Sequence, residues 1–142
     1  MKLIVIKGRG KSGKTTTINY VHKHLIDQGA KPFNSCKKEK VGKEENDFKH
    51  VLYYQNMSIA FFSPGDSIEQ IQEAVKFGEK FDILICACNS SKKKEANKLL
   101  SHYNAKYLHK RRITKERTDN YEEDLEELLT QIFLKILEYL ND

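Results

Sequence analysis

The sequence has 142 residues, with 25 Lys and Arg against 20 Asp and Glu, so its formal net charge is +5. A chain of this length predicts one domain, residues 1–142, with a single core. No apolar run is long enough to cross a bilayer, and the first predicted strand begins too early for a signal peptide. These features exclude a membrane span and predict a cytoplasmic protein.

The distribution of charge and the positions of the cysteines indicate what kind of partner the protein has and whether its cysteines are functional. Residues 1–50 hold twelve Lys and Arg against five acids, residues 92–117 hold ten against two, and residues 118–142 hold one against eight. The two basic blocks indicate an anionic partner, whereas the solvated face of a helix explains the acidic tail equally well. Cys86 and Cys88 alternate within an apolar run, which is more typical of free core cysteines than of a metal or redox pair.

The start of the chain predicts a strand, a glycine-rich turn and a helix. Residues 3–6 form a β-branched run, and residues 15–28 have helical character up to the stop at Gly29. The turn matches the phosphate-binding pattern G-x-x-x-x-G-K-[ST] at every fixed position. Its expected phosphate-binding residues are Gly8, Arg9, Gly10, Lys11, Ser12, Gly13, Lys14, Thr15 and Thr16. The alternative interpretation is a surface turn rich in Gly and Lys.

On this motif the chain resembles the P-loop NTPase superfamily. The resemblance implies an α/β fold, specifically a three-layer α/β/α P-loop sandwich of about five strands, mostly parallel with one antiparallel hairpin strand. It also implies a bound nucleotide with Mg²⁺, in which Lys14 reaches the β- and γ-phosphates and the Thr15 hydroxyl coordinates the metal.

Residues 30–47 are rich in Lys and show no apolar periodicity, so they are predicted to be a mobile loop. This loop is either a switch or substrate loop or an uninvolved surface loop.

Two β-rich runs at residues 48–54 and 58–62 predict an antiparallel hairpin. A helix follows from Asp66 or Ser67, where Ser67 and Gln70 form a capping box. Residues 81–88 predict a central strand, and a helix after it begins between residues 89 and 91. A strand at 105–109 and a helix at about 120–140 complete the chain.

This order of elements is similar to the core of the small GTPases. It also looks like a minimal nucleotide kinase or a member of the signal-recognition and partitioning ATPases. In the last group a lysine at the second motif position reaches across a dimer. Arg9 takes that position here, so a homodimer is among the expected arrangements.

The carboxylate that phosphoryl transfer usually requires is hard to find. Asp82 stands at the start of its strand, and Phe62 occupies the position of the metal-linked aspartate in GTPases. Asp66 is therefore the candidate catalytic and metal-binding acid, and a plain helix N-cap is its alternative role. Asn89 keeps only the asparagine of the guanine-reading sequence Asn-Lys-x-Asp, which favours ATP over GTP.

Basic residues follow the two last strands at the edge where the phosphate loop is expected. Residues 92–94 lie in the first turn of a helix, where the macrodipole disfavours cations unless an anion binds. Arg111 and Arg112 follow Lys110 after the last strand and are candidate catalytic residues, because arginines stabilise charge on a transferred phosphoryl group. A solubilising basic rim is the alternative.

Three functions follow from these patterns. The first is an ATPase or small phosphotransferase that requires Mg²⁺ and acts with the basic edge on an anionic second substrate. The second is a degenerate GTPase-like or regulatory module that binds a nucleotide without efficient turnover. Turnover separates the two: the first releases phosphate with Mg²⁺ and ATP, and the second binds without release. Nucleic-acid binding is the weakest, because aromatic residues are not interleaved with the lysines.

Overall fold

A computed structural model describes residues 1–9, 13–89, 93–110 and 120–141, apart from the side chains at 93–95 and 104. The fold is α/β. The strands are β1 (Lys2–Gly8), β2 (Lys31–Pro32), β3 (Glu39–Lys40), β4 (Phe48–Tyr54), β5 (Met57–Phe62), β6 (Ile83–Asn89) and β7 (Asn104–His109). The helices are α1 (Lys14–Asp27), α2 (Ile68–Gly78), α3 (Lys93–Leu100) and α4 (Tyr121–Leu140), and a short 3-10 turn spans Phe33–Ser35.

All seven strands belong to one sheet, in the order β2-β4-β5-β6-β1-β7, with β3 also paired to β4. The strands β5, β6, β1 and β7 are mutually parallel, and β4 is antiparallel to β5. The hairpin turn at Gln55 and Asn56 has positive φ at both residues, as a type I′ hairpin turn requires. The predicted hairpin and the five predicted strands are therefore confirmed.

One part of the fold differs from the prediction. Within the described residues the sheet has seven strands rather than about five, because β2 and β3 are short strands within residues 30–47, which were predicted to be a loop. Both pair with β4 in antiparallel orientation, so their extended form depends on a neighbour rather than on their own sequence. The order of strands, for which there was no prediction, places β6 between β1 and the hairpin.

Helices cover both faces of the sheet because successive strand residues point to opposite sides. Residues Ile4 and Ile6 of β1 pack with α1 and α4, through side chains such as Ile18 and Ile136. Leu3 and Val5 pack on the other face with α2 and α3. Each central strand is buried on both sides, as parallel strands usually are.

Local signals account for several boundaries. Ser67 caps α2, and its side chain and that of Gln70 form both bonds of the predicted capping box.

Cys86 and Cys88 lie in the same core cluster and are free, as predicted. Within the described ranges, no helix combines the length and the apolarity that spanning a membrane demands.

Candidate functional site

The carboxyl ends of the parallel strands meet at one edge of the sheet, and the candidate site lies there. Gly8 at the end of β1 is in register with Asn89 at the end of β6. Because β4 is antiparallel to β5, the start of β4 lies at the same edge as the end of β5. The backbone N–H of Ser63 donates to the carbonyl of Phe48 across this end of the hairpin. Residues before β4 and after the parallel strands are thus brought together.

The described part of the predicted phosphate loop includes a glycine in a left-handed conformation. Gly13 adopts φ 88° and ψ 28° as the N-cap of α1, a left-handed conformation that favours glycine. The Lys14 side chain is 6% exposed, and its ammonium donates to the Arg9 carbonyl at 2.9 Å. Burial lowers the pKa of Lys14, while the nearby Asp66 and Cys88 act in the opposite direction. Gly10, Lys11 and Ser12 lie outside the described residues.

A buried aspartate that was not among the predicted site residues connects three elements at this edge. Asp47 is 5% exposed, and its carboxylate accepts hydrogen bonds from the Thr15 hydroxyl at 2.8 Å and the Ser63 hydroxyl at 2.9 Å. Ser63 in turn accepts a hydrogen bond from the backbone N–H of Phe48 at 2.9 Å. Asp47 therefore joins the start of α1, the start of β4 and the end of β5.

Asp47 was not among the predicted site residues because it precedes a strand, and the carboxylate was expected after one. An acid that precedes an antiparallel strand reaches the same edge of the sheet. The predicted hairpin already contained this signal, since it made β4 antiparallel to β5. No ion pair involves the Asp47 carboxylate within the described part of the chain.

A cavity of about 280 Å³ opens beside these groups. The start of α1, the loop before β4 and the segment after β5 line it, and Thr16 lies in its wall next to Thr15. Its ionisable lining residues are Lys14, Glu44, Asp47 and Asp66. Among the described lining residues, one ammonium group thus faces three carboxyl groups, an arrangement in which a cation would favour the binding of a ligand with many negative charges.

Asp66 lies in the wall of the same cavity but is far more exposed than Asp47. Its carboxylate is 3.9 Å from the Lys14 ammonium, and its side chain is 68% exposed. Its backbone N–H donates to the side chain of Gln70 at 2.8 Å. Because Ser67 is the N-cap of α2, the alternative role of Asp66 as the helix cap is wrong.

Two further lysines are buried near the loop. Lys7 in β1 donates to Asn97 of α3 at 3.2 Å, and its ammonium lies 4.1 Å from the centre of the Tyr107 ring. Lys110 follows β7, is 4% exposed, and its ammonium nitrogen is 3.5 Å from the position that a Cβ atom on Gly13 would occupy. The other members of the predicted basic edge, Lys92, Arg111 and Arg112, lie outside the described residues, as do the side chains at 93 and 94.

The donor set fits Mg²⁺ bound together with a phosphate ligand. Among the described residues there is no cluster of three or more His, Cys, Asp or Glu side chains suited to a metal ion. Mg²⁺ does not need such a cluster, since it usually binds one or two carboxylates, substrate phosphates and several waters. A buried carboxylate held only by hydroxyl groups, Asp47, supplies a suitable oxygen donor.

Comparisons with protein-family models, with curated proteins and with solved structures found no match to this chain.

Proposed function

We propose that this chain binds a nucleoside triphosphate together with Mg²⁺, with ATP favoured, and hydrolyses it or transfers its terminal phosphoryl group. One observation carries the proposal: Lys14, Thr15 and the buried Asp47 meet at the start of α1 beside a cavity. We further infer that the α/β fold is a three-layer P-loop sandwich, since helices lie on both faces of the sheet and the motif lies between β1 and α1.

Each residue has a role that follows from its position. The backbone N–H groups at the start of α1 point towards the cavity end of the helix and favour an anion there. Lys14 leaves its contact with the Arg9 carbonyl and neutralises phosphate charge. Thr15 and Asp47 hold the oxygen donors for the metal, with the exposed Asp66 as a second, weaker carboxylate. The metal, when bound, supplies neutralisation of charge on the phosphate oxygens.

The charges at the cavity support the requirement for a divalent cation. Among the described lining residues, a triphosphate alone would meet Asp47, Asp66 and Glu44, with Lys14 as the one cation to offset them. Placing a charge in a partly buried site without a counter-charge is costly. We therefore expect ATP to bind much more weakly when Mg²⁺ is removed.

One observation favours the second candidate, a nucleotide-binding module without efficient turnover. Asp47 is the buried carboxylate among the described lining residues, and the Thr15 and Ser63 hydroxyls occupy it. The remaining acids of the cavity, Glu44 and Asp66, are exposed. A solvated carboxylate orients an attacking water poorly, so slow release of phosphate would fit this arrangement.

Calorimetry with ATP and GTP, with and without Mg²⁺, tests the proposal, and a phosphate-release assay separates the two candidates. We expect Lys14→Ala to weaken ATP binding by more than about tenfold, because it removes a charge-assisted contact worth roughly 1.5–3 kcal/mol. Lys23→Ala is the matched control, since Lys23 is an exposed lysine of the same helix. Unchanged affinity in Lys14→Ala would contradict the proposed function.

A further inference from the structure

Asn19 links helix α1 to the loop that carries Asp47. It lies one helical turn after Thr15, and its side-chain amide donates to the Thr15 carbonyl at 3.0 Å and to the Asn46 carbonyl at 3.1 Å. The amide oxygen accepts a hydrogen bond from the Lys38 ammonium at 3.2 Å. One half-buried side chain thus joins α1 to two parts of the segment between α1 and β4.

The three partners of Asn19 agree on the orientation of its amide group. A backbone carbonyl can only accept a hydrogen bond, and an ammonium group can only donate one. The amide nitrogen therefore faces the carbonyls of Thr15 and Asn46, and the amide oxygen faces Lys38. The Lys38 ammonium also lies 4.3 Å from the centre of the Phe48 ring. One orientation of the amide thus satisfies every one of these contacts.

Helix α1 contacts the loop before β4 at two consecutive residues. Asn19 binds the backbone of Asn46, and the Thr15 hydroxyl donates to the Asp47 carboxylate at 2.8 Å. The backbone N–H of Asp47 donates to the Glu44 carbonyl at 3.2 Å, a bond within the loop that does not fix the loop on the helix. The position of Asp47 beside α1 therefore depends on the contacts of Asn19 and Thr15.

These two contacts respond differently to a bound ligand. The Thr15 hydroxyl and the Asp47 carboxylate are proposed to hold the oxygen donors for the metal, so a bound metal competes with the hydrogen bond between them. The Asn19 amide contacts two backbone carbonyls and an ammonium group, and none of these is a proposed ligand of the metal or the phosphate. The contact of Asn19 with the loop therefore persists when the metal binds.

We propose that Asn19 is a positioning residue of the phosphate site, which holds the loop before β4 on α1 and so keeps Asp47 beside Thr15 when Mg²⁺ and a nucleotide bind. This inference rests on the proposed function. Asn19 touches neither the metal nor the nucleotide, and it acts through the backbone of Asn46 on the next residue. Groups that orient the ligands of a metal influence its affinity without contacting it.

The test uses Asn19→Ala and Asn19→Leu in the full chain, with ATP as the probe and calorimetry with and without Mg²⁺. Both new residues form helices better than asparagine, so the substitution does not weaken α1. We expect the affinity for ATP in the presence of Mg²⁺ to fall about tenfold, the lower end of the effect for groups that orient metal ligands. The affinity without Mg²⁺ should not change, because Asp47 favours ATP only through the metal.

Asn141→Ala is the matched control. The Asn141 amide donates to the carbonyl of Leu137 at 3.0 Å, which is the same contact with a residue four positions earlier, here in α4. We expect this variant to bind ATP as the wild type does, with and without Mg²⁺.

A double variant shows whether Asn19 acts through Asp47. Residues that act as a unit have effects that do not add. In a protein that already carries Asp47→Asn, we therefore expect Asn19→Ala to cause no further loss of ATP affinity in the presence of Mg²⁺. Additive losses would overturn the inference.

Three other outcomes would also overturn it. They are wild-type dependence on Mg²⁺ in both folded variants, an equal loss with and without Mg²⁺, and an equal loss in Asn141→Ala. If neither variant folds, the side-chain amide protons of Asn19 in the wild type should stay protected from exchange when Mg²⁺ and ATP bind. Loss of that protection on binding would refute the inference. A wild type that does not bind ATP in the presence of Mg²⁺ would instead refute the proposed function.

Discussion

Two aspartates with serine partners lie at opposite edges of the sheet, and they differ in almost every other respect. Asp82 precedes β6, where its carboxylate accepts hydrogen bonds from the backbone N–H and the hydroxyl of Ser58. The backbone N–H of Asp82 donates back to the Ser58 hydroxyl at 2.9 Å. The pair is reciprocal, with Asp82 exposed and Ser58 buried, and it ties the starts of β5 and β6 together.

Asp47 at the carboxyl edge is buried, and its two hydroxyl donors come from different elements, Thr15 of α1 and Ser63 after β5. It also lines a cavity next to Lys14. A carboxylate buried without a cationic partner lowers stability unless a ligand compensates it. The comparison teaches that burial and a place in the wall of the cavity mark Asp47, rather than the exposed Asp82, as the candidate functional carboxylate.

The largest effect is expected from Asp47→Asn. The asparagine oxygen still accepts the two hydroxyl hydrogen bonds, but the negative charge is lost. We expect the Mg²⁺-dependent gain in ATP affinity to disappear and any phosphate release to fall about 100-fold or more, since a metal supplies several kcal/mol of charge stabilisation. Thermal stability should stay the same or rise. Calorimetry with and without EDTA, a phosphate-release assay and a melting curve measure these quantities.

Asp82→Asn is the matched control for that experiment. It should leave nucleotide binding intact and cost about 1 kcal/mol of unfolding free energy, the usual value of a hydrogen bond. If Asp47→Asn also loses stability while its ATP binding keeps the wild-type dependence on Mg²⁺, then Asp47 has a structural role like that of Asp82.

Gly65→Ala tests the segment that carries Ser63 to Asp47. A Cβ atom on Gly65 would lie 2.1 Å from the carbonyl oxygen of Ala87, a backbone atom that cannot move aside. We expect a loss of about 2 kcal/mol or more in unfolding free energy, because overpacked sites cost 1–3 kcal/mol and occasionally more. Gly78→Ala is the milder control, since its new Cβ would meet the side chain of Leu84 at 2.9 Å. Urea unfolding measures both variants. Equal losses of unfolding free energy would show that the contact of Gly65 with the Ala87 backbone is no more restrictive than the contact of Gly78 with a side chain.

The sequence predicted the local parts of this molecule well. The apolar runs of β1 and β6, the hairpin and the Ser67 cap depend on residues close together in the chain, and all of them are confirmed. The strands β2 and β3 were missed because two extended residues carry no periodicity and depend on pairing with β4. The place of β6 between β1 and β5 is a non-local property that no local pattern encodes.

The site was predictable to a smaller extent. The motif identified Lys14 and Thr15, because the spacing of glycines and lysine is itself the signal. Asp47 lies 32 residues from Thr15 in sequence, and the contact depends on the antiparallel direction of β4. Arg111 and Arg112 stay predictions, since they lie outside the described residues.

The stability of the folded protein is expected to fall in acid because of a buried pair of histidines, His22 and His50, behind the loop that leads to Asp47. His22 Nε2 and His50 Nδ1 are 2.8 Å apart, and His50 Nε2 is 3.1 Å from the Cys36 carbonyl. Burial, with Lys38 and His50 adding to it, lowers the pKa of His22 from 6.5 to about 3. The neutral form is therefore favoured in the folded state, so stability is fully present above pH 6.5 and falls as the pH drops towards 3.

The His22→Gln variant removes the loss of stability that protonation of His22 causes. Its unfolding free energy should depend less on pH between 6.5 and 3, by up to about 1.4 kcal/mol per pH unit. Urea unfolding at several pH values measures the slope. A variant with the slope of the wild type would show that protonation of His22 does not limit stability in acid.

The smallest effect is expected from Asp66→Asn, which separates the two acids of the cavity. Asp66 is 68% exposed and lies 3.9 Å from the Lys14 ammonium, so solvent screens its charge. The cap of α2 is Ser67, and the hydrogen bond from Asp66 to Gln70 uses the backbone, so neither depends on the Asp66 charge. Removing one exposed partner changes stability by about 0.5 kcal/mol or less. We expect the affinity for Mg²⁺ and ATP to fall only about threefold, in keeping with a pair worth at most 1 kcal/mol. A loss as large as that of Asp47→Asn would instead make Asp66 the principal metal-side carboxylate, and Asp47 would then serve mainly to hold the Thr15 and Ser63 hydroxyls in place.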